Sequence, residues 1–470
     1  MLQLVAYGAQ DVYITGNPQV TFFKLVYRRH TNFSMETIEQ TFNGNPDFGK
    51  KVTCTLSRNG DLIHKIWLWV KLSTVTVAAG NKFRWLNWLG HVLIDYVEFE
   101  IGGQKIDKQY GEWMQIYSEL TIKPGHSAGY ANMIGNVPAL TNMYAPAAAA
   151  ATVPSTSLYI PLQFYFCRNP GLAVPLVALQ YHEVKINIEF RPLSDCIHWD
   201  GAQPAASMDS ASLLVDYVFL DSDERRRFAQ ISHEYLITQL QFTGDESTIT
   251  EFNKFKLAFN HPTKEIIWAS VKDEFTKDAR SGGPSTGRQW FNFSTKLDAT
   301  YLTGTTLDPL GGGLGFGMNE WLTDAALSNL YDGTSYDLSA ALAAGVNPTK
   351  AAKLVLNGHD RFAERDGRWF NLAVPYACHE NVPATGINVY SFGLKPEEHQ
   401  PSGSINFSRI DTANLHITLE PDAVSNGGCK VKIYALSYNI LRIMSGMGGL
   451  AYSNIGQLFN MQSVDEVSWQ

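Results

Sequence analysis

The residues of this 470-residue chain that could do chemistry are few, and none keeps the company that the chemistry requires. One His-x-Asp occurs, His198-Trp199-Asp200, which is two-thirds of the iron-binding triad found in some β-sandwich oxygenases. With 12 histidines and 45 acids, chance alone supplies about one such triplet. Its setting, SDCIHWDGAQPAAS, reads as a loop, and no distant histidine stands out as a third ligand. His359-Asp360 and His379-Glu380 are sequence neighbours, so a strand would point each pair apart; they read as surface or turn residues. The run GGGLGFG (Gly311–Gly317) lacks the lysine and the preceding strand of a phosphate-cradling loop. No H-E-x-x-H is present. The chain therefore reads as a non-enzyme with no cofactor, no metal and no catalytic residue. Three N-x-Ser triplets make Asn32, Asn292 and Asn406 candidate glycan acceptors.

Bulk properties narrow the class further. Hydrophobic residues make up 45% and aromatics 12%, a composition that buries a core rather than staying disordered. The length suits two domains of ordinary size. A net charge of −8 speaks against direct nucleic-acid binding, which wants a basic face. Five scattered cysteines (Cys54, Cys167, Cys196, Cys378, Cys429), never in C-x-x-C, suit neither a disulfide scaffold nor structural zinc and fit a reducing compartment. The N-terminus lacks a signal-peptide pattern, and no apolar run is long enough to span a bilayer.

What must position these residues is mostly strand. Val97, Phe99 and Ile101 alternate with Glu98 and Glu100; Ile186, Ile188 and Phe190 alternate with Lys185, Asn187 and Glu189. Ile66–Val70 (IWLWV) and Glu265–Ala269 (EIIWA) are continuous runs, which predicts strands covered on both faces. Helical signals are short: Glu112–Ile122, Asn319–Tyr331 and Asp337–Ala344. Gly125–Ser157 and Lys277–Lys350 read as long surface loops.

Two segments echo each other. Val97–Trp113 (VEFEIGGQKIDKQYGEW) and Lys353–Trp369 (KLVLNGHDRFAERDGRW) both run apolar residues into a turn glycine, Gly103 or Gly358, and close on Gly-x-Trp. A shared glycine predicts a backbone angle only glycine takes cheaply, and a shared tryptophan predicts a similar core slot. Phe164–Phe190 and Val389–Glu420 repeat a pattern of strand, proline-rich excursion and strand. Between the halves, three acids precede Arg225–Arg227, which reads as a solvated connector held by local charge pairs. These features indicate two β-sandwiches in tandem without selecting their topology.

Four blocks add more: Ala6–Ser34 (AYGAQDVYITGNPQVTFFKLVYRRHTNFS), Cys167–Ile186 (CRNPGLAVPLVALQYHEVKI), Asp221–Ile237 (DSDERRRFAQISHEYLI) and Pro401–Asp411 (PSGSINFSRID). Together they resemble the major capsid proteins of nucleocytoplasmic large DNA viruses, nearest to the mimivirus and marseillevirus types, over nearly the whole chain. The resemblance implies an all-β fold of two tandem eight-stranded jelly-roll sandwiches with a few short helices in loops. It implies homotrimeric capsomers of pseudo-hexagonal outline, then a trimer–trimer lattice forming the icosahedral shell of a double-stranded DNA virus. It also implies minor capsid partners, an internal viral membrane near the inner face, and synthesis and assembly in the host cytoplasm before residence in the virion. The expected division is an N-terminal arm (1–25), jelly roll 1 (26–216), a connector (217–235), jelly roll 2 (236–445) and a C-terminal tail (446–470). In the Cys167–Ile186 block, Asn169-Pro170-Gly171 is turn chemistry ending a strand, and Leu172–Leu179 leads into the last strand of the first lobe. In Pro401–Asp411 the Ser and Asn groups steady the matching corner, with Phe407 and Ile410 as core plugs. By the resemblance the aromatic and basic run Phe22–Arg29 lies at the inner side, against membrane or minor proteins; the alternative reading makes Thr21–Tyr27 the first strand of the first lobe. The alternative of another class is a lectin-like carbohydrate-binding jelly roll whose long loops form a pocket.

Overall fold

The period-two alternation in the sequence becomes two sets of eight principal strands in the computed structural model, which describes residues 8–18, 29–276, 288–295 and 346–452 except 143, 145, 147–149, 201–202 and 426. The first set is β1 (Phe33–Thr41), β2 (Lys51–Thr55), β3 (Leu62–Leu72), β4 (Ile94–Ile101), β5 (Gln104–Tyr110), β6 (Thr156–Pro161), β7 (Val184–Phe190) and β8 (Met208–Leu220). The second is β9 (His233–Thr248), β10 (Phe252–Lys256), β11 (Pro262–Lys272), β12 (Thr349–Leu356), β13 (His359–Asp360), β14 (Ile387–Ser391), β15 (Ala413–Leu419) and β16 (Cys429–Met444).

The first lobe pairs them antiparallel as β1-β8-β3-β6 and β2-β7-β4-β5. The second lobe repeats the order as β9-β16-β11-β14 and β10-β15-β12-β13. Two facing four-stranded sheets threaded this way are a jelly roll, so the chain carries two in tandem. Each sandwich has its own core. Ile66, Leu68, Val97, Phe99, Ile186 and Val215 lie in the first, and Ile266, Trp268, Leu415, Ile417 and Ile433 in the second.

The echoed segments do the same backbone work twice. At the β4–β5 turn Gly102 and Gly103 have φ of 57° and 84°; at the β12–β13 turn Asn357 and Gly358 have 49° and 81°. Two successive positive values make the tight hairpin turn that suits twisted strands. Gly111 and Gly367 then open helical segments where a Cβ would fall on backbone carbonyls, of His91 and Ile94 in one case and Thr349 in the other. The tryptophans part company. Trp113 is fully buried, whereas Trp369 is 43% exposed and Phe370 takes the core position beside it.

Other expectations need correction. β11 is covered on both faces, but along β3 burial alternates: Ile66, Leu68 and Val70 are buried while Trp67 and Trp69 are half-exposed. Gly125–Ser157 is built rather than looped, with a helix at Ser127–Ile134 and a strand at Ala151–Val153, because Ile134, Leu140 and Val153 enter the first core. Tyr165–Arg168 is a helical turn, not a strand, and Asn169 caps the next turn by accepting from Gly171 N at 2.8 Å. The return from there reaches β7, with β8 still to come. The predicted helix at Glu112–Ile122 forms as α1 (Gly111–Thr121). A second helix, α2 (Ser222–Gln230), joins the lobes, and Arg225 is held by Asp61 of the first lobe at 2.8 Å rather than by its neighbours. The expected helices at Asn319–Tyr331 and Asp337–Ala344, the Gly311–Gly317 run and Phe22–Arg28 lie outside the described residues.

The corner at Phe407 matches its reading. Asn406 Oδ1 accepts from Ser408 N at 3.0 Å, and Ser408 Oγ accepts from His261 N at 2.8 Å. Phe407 is 3% exposed between Phe259 and Phe392, with Ile410 packed partly buried against the same core. Truncating a buried Phe costs about 3–5 kcal/mol. Phe407→Ala is therefore expected to lower the denaturation midpoint and the yield of soluble protein; an unchanged midpoint would contradict this placement.

Candidate functional site at the lobe junction

The most heavily built feature outside the two cores is the place where they meet. Trp113, Ile116 and Leu120 recur at helical spacing on α1, and all three are fully buried. They lie, with Tyr117, against Leu240 on β9, Ile267, Ala269 and Val271 on β11, Ile387 and Val389 on β14, and Tyr434 and Leu436 on β16. That is the outward face of the second lobe's first sheet. The Trp113 and Tyr434 rings are 5.3 Å apart, and Phe242 stacks on Tyr434 at 4.7 Å. In the other direction, Ile237, Leu441 and Ile443 of the second lobe reach into the first lobe's core.

Polar groups close the edges. Asp107 accepts from Leu240 N at 3.1 Å and from Gln109 Nε2 at 2.9 Å. Glu119 accepts from Ala384 N at 2.9 Å and from Gln115 Nε2 at 2.8 Å, and Gln115 Oε1 meets His91 Nδ1 at 2.7 Å. Glu112 is ion-paired to Lys432 and lies 3.4 Å from Arg191. Burial opposes ionisation of Glu112, yet these two cations outweigh it and hold its carboxyl below the usual range. No such cation faces Asp107 or Glu119 closely enough to prevail. Burial pushes Asp107 up to about 6 and Glu119 up to about 7.

Beside this junction the structure reverses a sequence reading. His379 is not a surface residue: its side chain is 1% exposed, 3.0 Å from Glu265 and 2.7 Å from Glu397. Burial alone would lower its pKa, but the two carboxylates win and raise it to about 9. Glu380, its sequence neighbour, is exposed. His359 and Asp360 are exposed at the β13 hairpin, where Lys353 pairs with Asp360 at 3.1 Å. Ile197–Asp200 is a strand paired with Lys82–Trp85, not a loop, and His198 is buried in it. Among the described residues no three His, Cys, Asp or Glu side chains gather to hold a metal, and no helix is long and apolar enough to cross a membrane.

The glycan candidates stay apart. Asn32 is exposed just before β1. Asn292 Oδ1 accepts from Ser294 N at 3.0 Å, and Asn406 is the exposed cap described above. A 410 Å³ cleft lies between the lobes, lined by Asp95, Glu112, Glu189, Arg191, Trp290 and Lys432. The Arg191 guanidinium covers the Trp290 ring at 4.8 Å, so that ring's face is already taken.

Sequence reading missed Asp107, Glu119 and the His379 clamp. One signal was available: Glu119 sits among the apolar residues of α1, and a carboxyl on such a face needs a partner.

These shifts fix the sign of the pH dependence. A carboxyl raised from 4.5 to about 7 on folding, as at Glu119, makes its contribution to stability fall as pH rises through that interval. A histidine raised from 6.5 to about 9 contributes stability in full below 6.5 and loses it as pH rises through 9. Glu119→Gln is therefore expected to flatten the thermal-midpoint profile between pH 4.5 and 7, and His379→Gln to flatten it between pH 6.5 and 9. Profiles parallel to that of the unmodified protein would contradict both assignments.

Comparison with known proteins matches this architecture from end to end. A family model described as "Major capsid protein N-terminus" matches residues 21–221, and one described as "Large eukaryotic DNA virus major capsid protein" matches 224–449. A major capsid protein of Pyramimonas orientalis virus is 48% identical, and one of Phaeocystis pouchetii virus 47%, each over 97% of this chain and 99% of the relative. Among solved structures, PBCV-1 VP54 is 36% identical with a TM-score of 0.66, over 92% of this chain and all of that one.

Proposed function

The chain belongs to the family of large eukaryotic DNA virus major capsid proteins, and from that premise we propose that it works by self-association, as a homotrimer whose copies tile an icosahedral shell. The observation that carries this reading is the repeated strand order. Three chains with two like-shaped lobes give six lobes around an axis, so a unit with three-fold symmetry presents an approximately hexagonal outline. The chain then divides into the arm 1–25, jelly rolls 26–216 and 236–445, the connector 217–235 and the tail 446–470. The arm faces the shell interior, where minor capsid proteins and an internal membrane are the partners. Assembly takes place in the host cytoplasm, and the net charge of −8 leaves nucleic acid to other components. The work is mechanical rather than catalytic.

Asn32, Asn292 and Asn406 remain glycan candidates. Of these, Asn32 and Asn406 are the exposed ones. The intact mass of virion-derived protein is expected to exceed the polypeptide mass if any of them is modified, and to equal it if none is.

Sedimentation of the purified protein followed by negative-stain imaging tests the main reading. The expected result is a stable trimer that forms flat arrays on concentration. A monodisperse monomer that binds sugar would overturn it in favour of the lectin-like alternative.

A further inference from the structure

Lys264, Lys272 and Lys432 are the buried lysines among the described residues, and two of them are satisfied. Lys272 donates to Thr295 O at 3.4 Å and to Ser425 Oγ at 3.2 Å, and Lys432 pairs with Glu112. Lys264 is 4% exposed, and its ammonium lies 5.3 Å from the centroid of the Tyr438 ring. Among the described residues none hydrogen-bonds or ion-pairs with it. The backbone sets it apart. Thr263 faces Ser437 and Glu265 faces Leu436, so Lys264 is the extra residue of a β-bulge at the start of β11. A bulge breaks the strand's alternation and re-aims the side chain it carries.

The charged groups around Lys264 are committed elsewhere. Glu265 and Glu397 hold His379, Asp107 accepts from Leu240 N and Gln109, and Lys395 pairs with Glu398. Arg168, reaching across the lobe junction, donates to Gln163 O and covers the Tyr117 ring at 4.2 Å. Burial, with Arg168 adding to it, lowers the Lys264 pKa from 10.5 to about 8 against the pull of Glu265 and Glu397. Burial and Lys264 together lower the pKa of His399. An ammonium so far out of water needs an acceptor.

The register of the sheet shows which part of the chain passes closest. β9 fills one edge of β16 from Cys429 to Ile443, so β11 and a last strand, β17 (Met447–Leu450), share the other edge. β17 runs back along Met444–Leu441, then Ala451 N donates to Ile440 O at 2.8 Å and Asn439 Nδ2 to Tyr452 O at 3.0 Å. β11 begins where that path leads, with Thr263 opposite Ser437. Two residues of β16 separate these levels, a rise of about 7 Å. The chain therefore leaves Tyr452 heading at the bulge that carries Lys264. Residues 453–470, outside the described residues, contain two acids, Asp465 and Glu466, and no Lys or Arg.

We propose that Lys264 is the docking point of the chain's own C-terminal segment, its ammonium binding the carboxylates of Asp465 and Glu466. The segment starts beside the site, so a loop of about a dozen residues closes it and the local concentration of carboxylate is high. Docking supplies the acceptor that the second lobe lacks and ties the end of the chain to the lobe junction. It does not depend on the oligomer proposed above.

The test treats the full-length protein with a water-soluble carbodiimide, which joins an amine to a carboxylate in contact with it and carries off the water as a urea. The expected product is an amide between Lys264 and Asp465 or Glu466, identified by peptide mass and lost in Lys264→Arg. The linked chain is expected to keep monomer mass under denaturing conditions. The same linked peptide at dimer mass places a second copy's segment on the site and overturns the own-chain docking. Acetylation of Lys264 as a function of pH gives a second reading. In the unmodified protein the carboxylates are expected to hold its midpoint toward the ordinary 10.5, and Asp465→Asn with Glu466→Gln to bring it down to about 8. The rate near neutral pH then rises roughly tenfold. These neutral replacements keep side-chain size, so the fold is retained. Absence of any Lys264 link to these acids, or the same midpoint in both proteins, overturns the inference and leaves the capsid reading standing.

Discussion

A β-sandwich covers only the inner face of each of its sheets, and everything distinctive about this chain follows from what covers the outer face of one of them. The β9-β16-β11-β14 sheet is apolar outward as well as inward: Ile267, Ala269, Val271 and Leu436 all point away from their own core. Left in water, such a face would forfeit about 25 cal/mol for each Å² of apolar surface it could bury. Helix α1 of the first lobe supplies the cover. The lobes are consequently not beads on a string. Residues of the second, Ile237, Leu441 and Ile443, enter the core of the first, and the hairpin after β16 returns to it through Gly448 N, which donates to His182 at 3.1 Å.

Sealing that contact has an electrostatic consequence. Helix α1 and the strand before it, β5, bring carboxyl groups into the seam, and these are resolved in two ways. Glu112 is matched by Lys432 and Arg191 and stays ionised. Asp107 and Glu119 receive backbone N–H groups across the junction, enough to satisfy hydrogen bonding but not enough to offset burial of a charge. His379 is the inverse case, a buried base kept protonated by two carboxylates. The three raised groups, Asp107, Glu119 and His379, favour the protonated form of the folded chain, while Glu112 is shifted the other way, so above the ordinary carboxylate range the seam is tighter in mild acid than in alkali.

Local constraints were legible in the sequence because a residue type announces them. The paired turns at Gly103 and Gly358 follow from positive φ, and the Asn406–Ser408 corner from short polar side chains that bond their own backbone. The tandem duplication was visible for the same reason, as one pattern of special residues used twice. Burial set by distant partners was not legible. Nothing near Trp369 distinguishes it from Trp113; the difference is a sheet that lies over one and not over the other. His379 is clamped by Glu265 and Glu397, which its own neighbourhood does not reveal. Gly125–Ser157 looked like a loop because its glycines, prolines and alanines mask the few apolar residues, Ile134, Leu140 and Val153, that anchor it.

If the helix-on-sheet seam is what makes one body of two lobes, removing its central ring must uncouple them. Differential scanning calorimetry of the intact protein and of Trp113→Ala addresses this directly. The account predicts a single cooperative transition for the intact chain and two resolved transitions for the variant, the second lobe melting first with its outward sheet uncovered. One undivided transition in both, at the same temperature, would contradict it.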